Sequence, residues 1–241
     1  MYNFFVENNQ FYNDKVDISG ENFNHIKNVL RMKIDDELIV SNKENETSFL
    51  CKIGEIGENK IVCNIIEERE STEPKVEVSL FQGIPKSDKM ELIIQKNVEI
   101  GVKNIYSVEM KFCIGKIKDN KKIARWQTIA EAAAKQSKRN IIPRIENPIS
   151  FKEMSALIKE YDLALIAYEN EDKTNIKEVL EKNKDAKKIA IIIGPEGGIS
   201  KEEVESLVND GAKEVSLGKR ILRTETASIS MLSMIMYQYD L

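Results

Sequence analysis

The chain has 241 residues, of which 41% are hydrophobic and 32% charged, and a formal net charge of −4. That balance supplies a sizeable core, excludes wholesale disorder, and at this length gives one large or two unequal domains. Its apolar runs are short, Ile189–Ile193 among them, so no segment is expected to cross a bilayer as a helix. In chain order, residues 3–6, 15–18, 37–41, 47–53 and 60–67 read as short strands rich in β-branched or aromatic residues. One short helix fits from Asn22 to Val29. Close-spaced strands of this kind predict a small β-barrel, and Glu67–Pro74 reads as a linker. Beyond Pro74 strands alternate with longer helices. Strands are expected at 76–83, 105–110, 163–168, 188–193 and 214–217, with helices at 87–100, 123–138, 175–181, from Ser200 to Gly211, and from Glu225 to about Tyr239. Asp88 with Glu91, and Ser200 with Glu203, have capping-box spacing. The alternation predicts an α/β domain with a mostly parallel sheet covered by helices.

Residue chemistry narrows the function classes. Cys51, Cys63 and Cys113 show no C-x-x-C spacing, so neither a disulfide scaffold nor a zinc ribbon is expected and a reducing cytoplasm fits. The start of the chain lacks the features of a secretory signal. His25 is the only histidine, so most Ser-His hydrolase and multi-His metal readings fall away and no metal is expected. Charge is unevenly spread. Residues 1–70 hold 8 basic and 14 acidic side chains, whereas residues 111–144 hold 10 basic and 2 acidic ones. The second stretch is either a solvated, Lys-rich helix and loop or a phosphate-facing strip.

Two late loops are informative. In IAIIIGPEGGIS, residues 189–200, a buried strand runs into three glycines and a proline within five residues, then into a capped helix. Glycines let the backbone approach a ligand, and the helix start offers free N–H groups. The segment is neither a Walker A loop nor G-x-G-x-x-G. Too little chain follows it for the first βαβ unit of a dinucleotide-binding sheet. In LGKRILRTETA, residues 217–227, Lys219, Arg220 and Arg223 precede an apolar helix that Thr224 or Thr226 could cap. Cations there oppose the helix dipole, which a bound anion or RNA phosphate would relieve.

Together these two segments resemble the SPOUT class of RNA methyltransferases, and more closely the ribosomal RNA small-subunit methyltransferase E family, which methylates N3 of one uridine in bacterial 16S rRNA. FFV near the start and NHIKNVLRM at 24–32 are similar to the family's PUA-like barrel, IPKSDKMELIIQKNVEIGV at 84–102 to the start of its catalytic domain, and EAAAKQSKRNIIPRI at 131–145 to its EA–EQS–R–P segment. The sequence departs from the family pattern at Asn24-His25, Asp35-Asp36 and VEMKFCIGK, 108–116. The resemblance implies a PUA-like RNA-binding β-barrel over 1–72 and a SPOUT domain with a deep C-terminal trefoil knot over 73–241. It also implies a homodimer and S-adenosyl-L-methionine as cofactor.

By motif match the cofactor contacts would be Tyr168, Glu169, Ile193, Gly194, Pro195, Glu196, Gly197, Gly198, Leu217, Gly218, Ile221, Leu222 and Thr226. Uracil N3–H is largely protonated at neutral pH, and the single histidine lies in the barrel. Charge stabilisation by Arg139 and Arg223 is therefore expected, with Glu196 or Glu225 orienting them or accepting the proton. Expected RNA contacts are Arg31, Lys33, Lys111, Lys116, Arg125, Lys135, Lys138, Arg139 and Arg144. The partner would be 16S rRNA, within the small ribosomal subunit. The competing readings are a SPOUT enzyme acting on tRNA or 23S rRNA, and a non-catalytic PUA-domain RNA-binding protein.

Overall fold

The computed structural model describes residues 1–86, 88–115, 117, 120–171 and 174–240, with Asn120 described by its backbone alone. It divides into two compact units: Met1–Glu73 with Ala134–Ile142, and Pro74–Ala133 with the chain from Pro143 on.

The first unit contains β1 (Asn3–Val6), β2 (Phe11–Tyr12), β3 (Lys15–Ser19), α1 (Gly20–Asn24), β4 (Glu37–Asn42), β5 (Ser48–Ile56) and β6 (Lys60–Glu68). They form one curled sheet in the order β1-β4-β5-β6-β3-β2. Period-two alternation aims Phe4, Val6, Val16, Ile18, Leu38, Val40, Cys51, Ile53, Ile61 and Cys63 at one interior, covered by Phe23 and Ile26. Register shifts between β5 and β6, at Leu50/Cys51 and Ile53/Glu55, bend the long strands as bulges do. The expected barrel is thus present as a curled sheet. Among the described residues its edge strands β1 and β2 do not pair with each other. The expected helix at 22–29 is α1 followed by a π-helical turn, His25–Val29. Glu73 receives hydrogen bonds from Arg139 Nε (3.3 and 3.2 Å), from Arg139 Nη2 and from the Asn140 N–H (2.9 Å). The Thr72 hydroxyl also donates to Asn140 Oδ1 at 2.9 Å. These bonds give residues 134–142 their place in this unit.

The second unit is built from β7 (Glu77–Gly83), α2 (Lys89–Ile100), β8 (Asn104–Glu109), α3 (Asn120–Ser137), β9 (Arg144–Ile145), β10 (Ile149–Ser150), α4 (Phe151–Leu157), β11 (Leu163–Ala167), α5 (Ile176–Lys182), β12 (Lys188–Ile193), α6 (Lys201–Asn209), β13 (Lys213–Val215) and α7 (Thr224–Tyr239). Only the part of α3 before Ala134 belongs to this unit. The sheet is parallel throughout, in the order β10-β8-β7-β12-β11-β13, with β9 beside β8. β12 sits between β7 and β11, with Ile191 opposite Leu80 on one side and Leu165 on the other. Ile189–Ile193 is buried throughout, as a strand covered on both faces requires. α2 stops at Gly101, whose φ of 119° is a left-handed helix end. Buried Asn97 of α2 donates to Ser228 Oγ of α7 at 3.2 Å.

The Ser200–Glu203 capping box forms as the spacing predicts. The Asp88–Glu91 box does not. Asp88 has φ −91° and ψ 10°, outside the extended region a capping side chain needs, so its carbonyl accepts from the Glu91 N–H instead. Helix α4, capped by Ser150 and Glu153, was absent from the expected elements although its S-x-x-E spacing is visible in the sequence. Among the described residues no helix is long and apolar enough to cross a membrane.

Candidate functional site

Three strands of the second unit, β11, β12 and β13, end around one cavity of about 350 Å³. In open α/β sheets ligands bind outside the carboxyl ends of the strands, and this cavity lies there. Ala167, Tyr168 and Glu169 enter it from the end of β11, Ile193–Glu196 with Gly198 and Ile199 from β12, and Val215–Arg223 from β13. Lys89 of α2 and Thr224 and Ala227 of α7 complete the wall.

The segment after β12 is a tight turn. The Gly198 N–H donates to Pro195 O at 2.9 Å, and Gly198 has φ +73°. A side chain there would be strained, and its Cβ would lie 2.9 Å from the Glu169 carboxylate. At Gly194 a Cβ would stand 2.8 Å from Ile199 Cγ1 and 2.9 Å from the Gly198 carbonyl carbon. The base of the turn is tied to α7. Thr224 Oγ1 donates to Gly194 O at 2.7 Å and accepts from Gln82 Nε2 at 2.8 Å, and Gln82 Nε2 also reaches Gly194 O at 3.3 Å. Gln82 and Thr224 are both buried. Thr224 is therefore no N-cap: that position falls to Arg223, which makes no side-chain cap bond.

At the rim, Lys89 Nζ lies 3.1 Å from Glu196 Oε1 and 3.4 Å from Glu225 Oε2, the second an ion pair without a well-formed hydrogen bond. The Lys86 N–H donates to both Glu196 oxygens at 3.1 and 3.2 Å. Burial alone would raise the Glu196 carboxyl. Hydrogen bonds from its own N–H, from Lys89 and from the Lys86 N–H outweigh burial and hold it below the ordinary carboxylate range. The Glu196 hydrogen bond in turn lifts the Lys89 ammonium above its usual value. Among the described residues no acidic side chain pairs with Lys219, Arg220 or Arg223, so this wall presents free positive charge.

Of the thirteen expected cofactor contacts, eleven line the cavity; Gly197 and Thr226 do not. Gly197 instead faces Phe112, whose Cβ would be 2.9 Å from an added Cβ, and Thr226 is exposed. Of the expected catalytic groups, Arg223 and Glu196 line the cavity, and Glu225 reaches its rim through Lys89. Arg139 does not line it: its side chain is 4% exposed and committed to Glu73 in the first unit. Lys219 and Arg220, read from the sequence as cations awaiting an anion, are in the wall; sequence reasoning missed Lys89, Ala167, Ile199, Val215, Ser216 and Ala227 as wall residues and read Thr224 only as a possible cap.

The expected RNA contacts fall in both units. Arg31, Lys33, Lys135 and Lys138 belong to the first, and Lys111, Arg125 and Arg144 to the second; Lys116 lies outside the described residues. Arg31, Lys33, Lys138 and Arg144 are exposed. Lys111 pairs with Glu202 at 3.1 Å and Arg125 with Glu91 at 2.9 Å.

A family model described as the RNA methyltransferase PUA domain matches residues 18–66, and one described as the RNA methyltransferase domain matches residues 72–236. The ribosomal RNA small subunit methyltransferase E of Bacillus subtilis is 34% identical over 232 residues, covering 93% of this chain and 90% of that protein. The fold is similar to a crystal structure of the Neisseria gonorrhoeae ribosomal RNA small subunit methyltransferase E bound to S-adenosyl methionine. There the TM-score is 0.86 at 28% identity, with 99% of this chain and 98% of that one covered. A Legionella pneumophila structure in complex with the cofactor SAM matches with a TM-score of 0.80 at 29% identity over 98% and 96% of the two chains. Glycine turn, basic wall and both domain models agree, and the chain belongs to the ribosomal RNA small subunit methyltransferase E family.

Proposed function

We propose that the protein transfers a methyl group from S-adenosylmethionine to N3 of a uridine in 16S rRNA of the small ribosomal subunit. The observation that carries this reading is the cavity at the ends of β11, β12 and β13, walled by Ile193–Gly198 and Leu217–Leu222. Its volume lies within the roughly 300–1,000 Å³ of small-molecule sites. The cradle suits the cofactor: glycine at 194 and 198 lets the turn after β12 close tightly against Ile199 and Glu169, which brings backbone N–H and C=O groups into the cavity wall beside where a flat ring would lie. Ile193, Ile199 and Leu222 offer apolar surface to its faces, and Glu169 with the free cations Lys219 and Arg220 offers opposite charges to its amino and carboxylate ends. The SAM-bound relatives support the same assignment.

S-adenosylmethionine, when bound, supplies a methyl group already activated by its sulfonium. The chain's own task is to hold uracil N3 in line and exclude water. It must also stabilise the negative charge that spreads over O2 and O4 once the N3 proton leaves. Arg223, unpaired at the cavity, is suited to that charge. Glu196 is held ionised at the rim; the hydrogen bonds that lower its pKa make it a weak base, suited to orienting charge in that wall and to accepting the N3 proton only transiently. Arg139 is left out of this machinery because its guanidinium is occupied by Glu73.

The reading extends to a homodimer in the cytoplasm and to a knotted C-terminus. The insertion of β12 between β7 and β11 and the Thr224–Gly194 tie support the knot; a backbone trace through residues 188–240 of a crystal structure tests it. Sedimentation at two loading concentrations tests the dimer. The decisive experiment for function is incubation of the protein with S-adenosylmethionine and small subunits from cells lacking it, followed by mass-spectrometric mapping of uridines. One new N3-methyluridine is the expected result. A methyl group on a ribose, on another base or on tRNA alone would overturn the assignment.

A further inference from the structure

We propose that Lys89 is a positioning residue for this reaction: its ammonium ties the turn after β12, through Glu196, to the first turn of α7, through Glu225, and so sets the spacing of the cavity's two walls. This inference rests on the proposed function for its catalytic consequence but not for the tie itself.

Three observations carry it. The first is placement. Lys89 is the first residue of α2, where a cation faces the positive end of the helix dipole. A lysine at that end is unfavourable unless countercharged, and here two carboxylates from two other elements converge on it, at 3.1 and 3.4 Å. The second is that Glu196 and Glu225 lie beside one another at the rim; without a cation between them they would repel. An ammonium has three N–H donors on a flexible stem, enough to serve both carboxylates at once. The third is that the walls already have a separate tie at their base, the Thr224–Gly194 hydrogen bond, buried with Gln82. The base tie fixes where the turn leaves β12. The rim tie fixes where the middle of that turn, Glu196, stands relative to α7.

The two ties make the idea testable without unfolding the protein. Losing Lys89 removes the rim tie, while the buried network at Gln82, Thr224 and Gly194 stays intact. Half of a two-sided cavity would then be free to shift, and a displacement of about 1 Å near a reacting centre can slow turnover roughly 10- to 100-fold. The pH profile carries a second signature. Glu196 is held below the ordinary carboxylate range in part by Lys89. Without that cation it protonates at a higher pH, so the acid limb of the rate profile moves upward.

The experiment compares wild type, K89M and K89R as full-length proteins. The readouts are amide hydrogen exchange of residues 194–198 and 225–227 without cofactor, SAM affinity by calorimetry, kcat and KM on small subunits from pH 4 to 9, a range that includes the carboxylate limb, and the melting midpoint. K89M is expected to exchange faster in both segments. Its kcat is expected to fall about 10- to 100-fold, with the acid limb shifted upward and little change in the melting midpoint. K89R, which keeps the charge, is expected to recover most of the rate and the wild-type acid limb. Wild-type exchange and wild-type pH dependence in K89M would overturn the proposal. So would equal impairment of K89M and K89R together with a lowered melting midpoint, since that describes a packing role. If wild type binds no SAM while K89M still loosens both segments, the proposed function falls and the tie stands.

Discussion

Removing Arg139 tests whether that residue serves the fold or the chemistry. Its side chain is 4% exposed and that of Glu73 12% exposed. Both Arg139 Nε and Nη2 donate to the Glu73 carboxylate, which also accepts from the Asn140 N–H. The Arg139→Met substitution keeps much of the apolar stem and deletes the charge, leaving a nearly buried carboxylate with only the backbone donor. Breaking a buried pair on one side costs about 3–5 kcal/mol, because the remaining charge is uncompensated rather than because the pair itself is worth that much. With a urea dependence of about 1–3 kcal/mol per molar, the unfolding midpoint of the first unit should fall by roughly 1–5 M. The double variant Glu73→Gln with Arg139→Met removes both charges and should regain a large part of that loss. Urea unfolding followed by far-UV circular dichroism measures the shift. Methylation assayed well below the unfolding concentration shows whether catalysis survives. An Arg139→Met protein that unfolds at the wild-type urea concentration yet turns over far more slowly would refute this reasoning and return Arg139 to the reaction.

Other expectations follow from the same geometry. Thr224→Val keeps the shape but deletes the hydroxyl that joins Gln82 to Gly194 O; Gln82 Nε2 still reaches Gly83 O and Gly194 O, so the cost is that of the lost hydrogen bonds, about 0.5–1.5 kcal/mol each. Calorimetry should show weaker SAM binding alongside that loss, and unchanged affinity would mean the tie does not shape the cavity. Ser200→Ala removes the formed capping box of α6 and should cost about 1 kcal/mol in urea unfolding, with Ser200→Gly milder. Burial pushes the Cys51 and Cys63 thiols up to about 12. Both stay neutral in the folded state while the unfolded chain ionises near its ordinary value. The stability they confer is whole below about pH 8.5 and is lost as pH rises toward 12, by about 1.4 kcal/mol per pH unit for each thiol. Urea midpoints at pH 8 and 10.5 should therefore diverge in wild type and less so in a Cys51→Ala, Cys63→Ala variant; equal divergence would place the alkaline loss elsewhere.

What the sequence shows of this molecule depends on how far apart the causes lie along the chain. β12 is readable from Ile189–Ile193 because burial on both faces leaves no polar alternation. The Ser200 cap is readable because its two partners sit three residues apart. The glycine turn is readable because Gly198 at positive φ and Gly194 beneath Ile199 impose residue types locally. Local spacing also misleads. Asp88 and Glu91 have the separation of a capping box, but the backbone at Asp88 is not extended, and Glu91 pairs with Arg125 instead. The site's electrostatics are not legible in this way. Lys86 and Glu196 are 110 residues apart, and nothing near Lys89 in the chain announces that two later carboxylates will meet its ammonium. Arg139 shows the converse error. A basic residue in a basic stretch reads as a phosphate or substrate contact until Glu73, 66 residues earlier, is found beside it. Composition gives the sign of a charge and periodicity gives the face it lies on, but its role is set by the counter-charge that folding brings to it. For this chain the free cations to assign to ligand are those still unpaired at the cavity, Lys219, Arg220 and Arg223, rather than those most densely clustered in sequence.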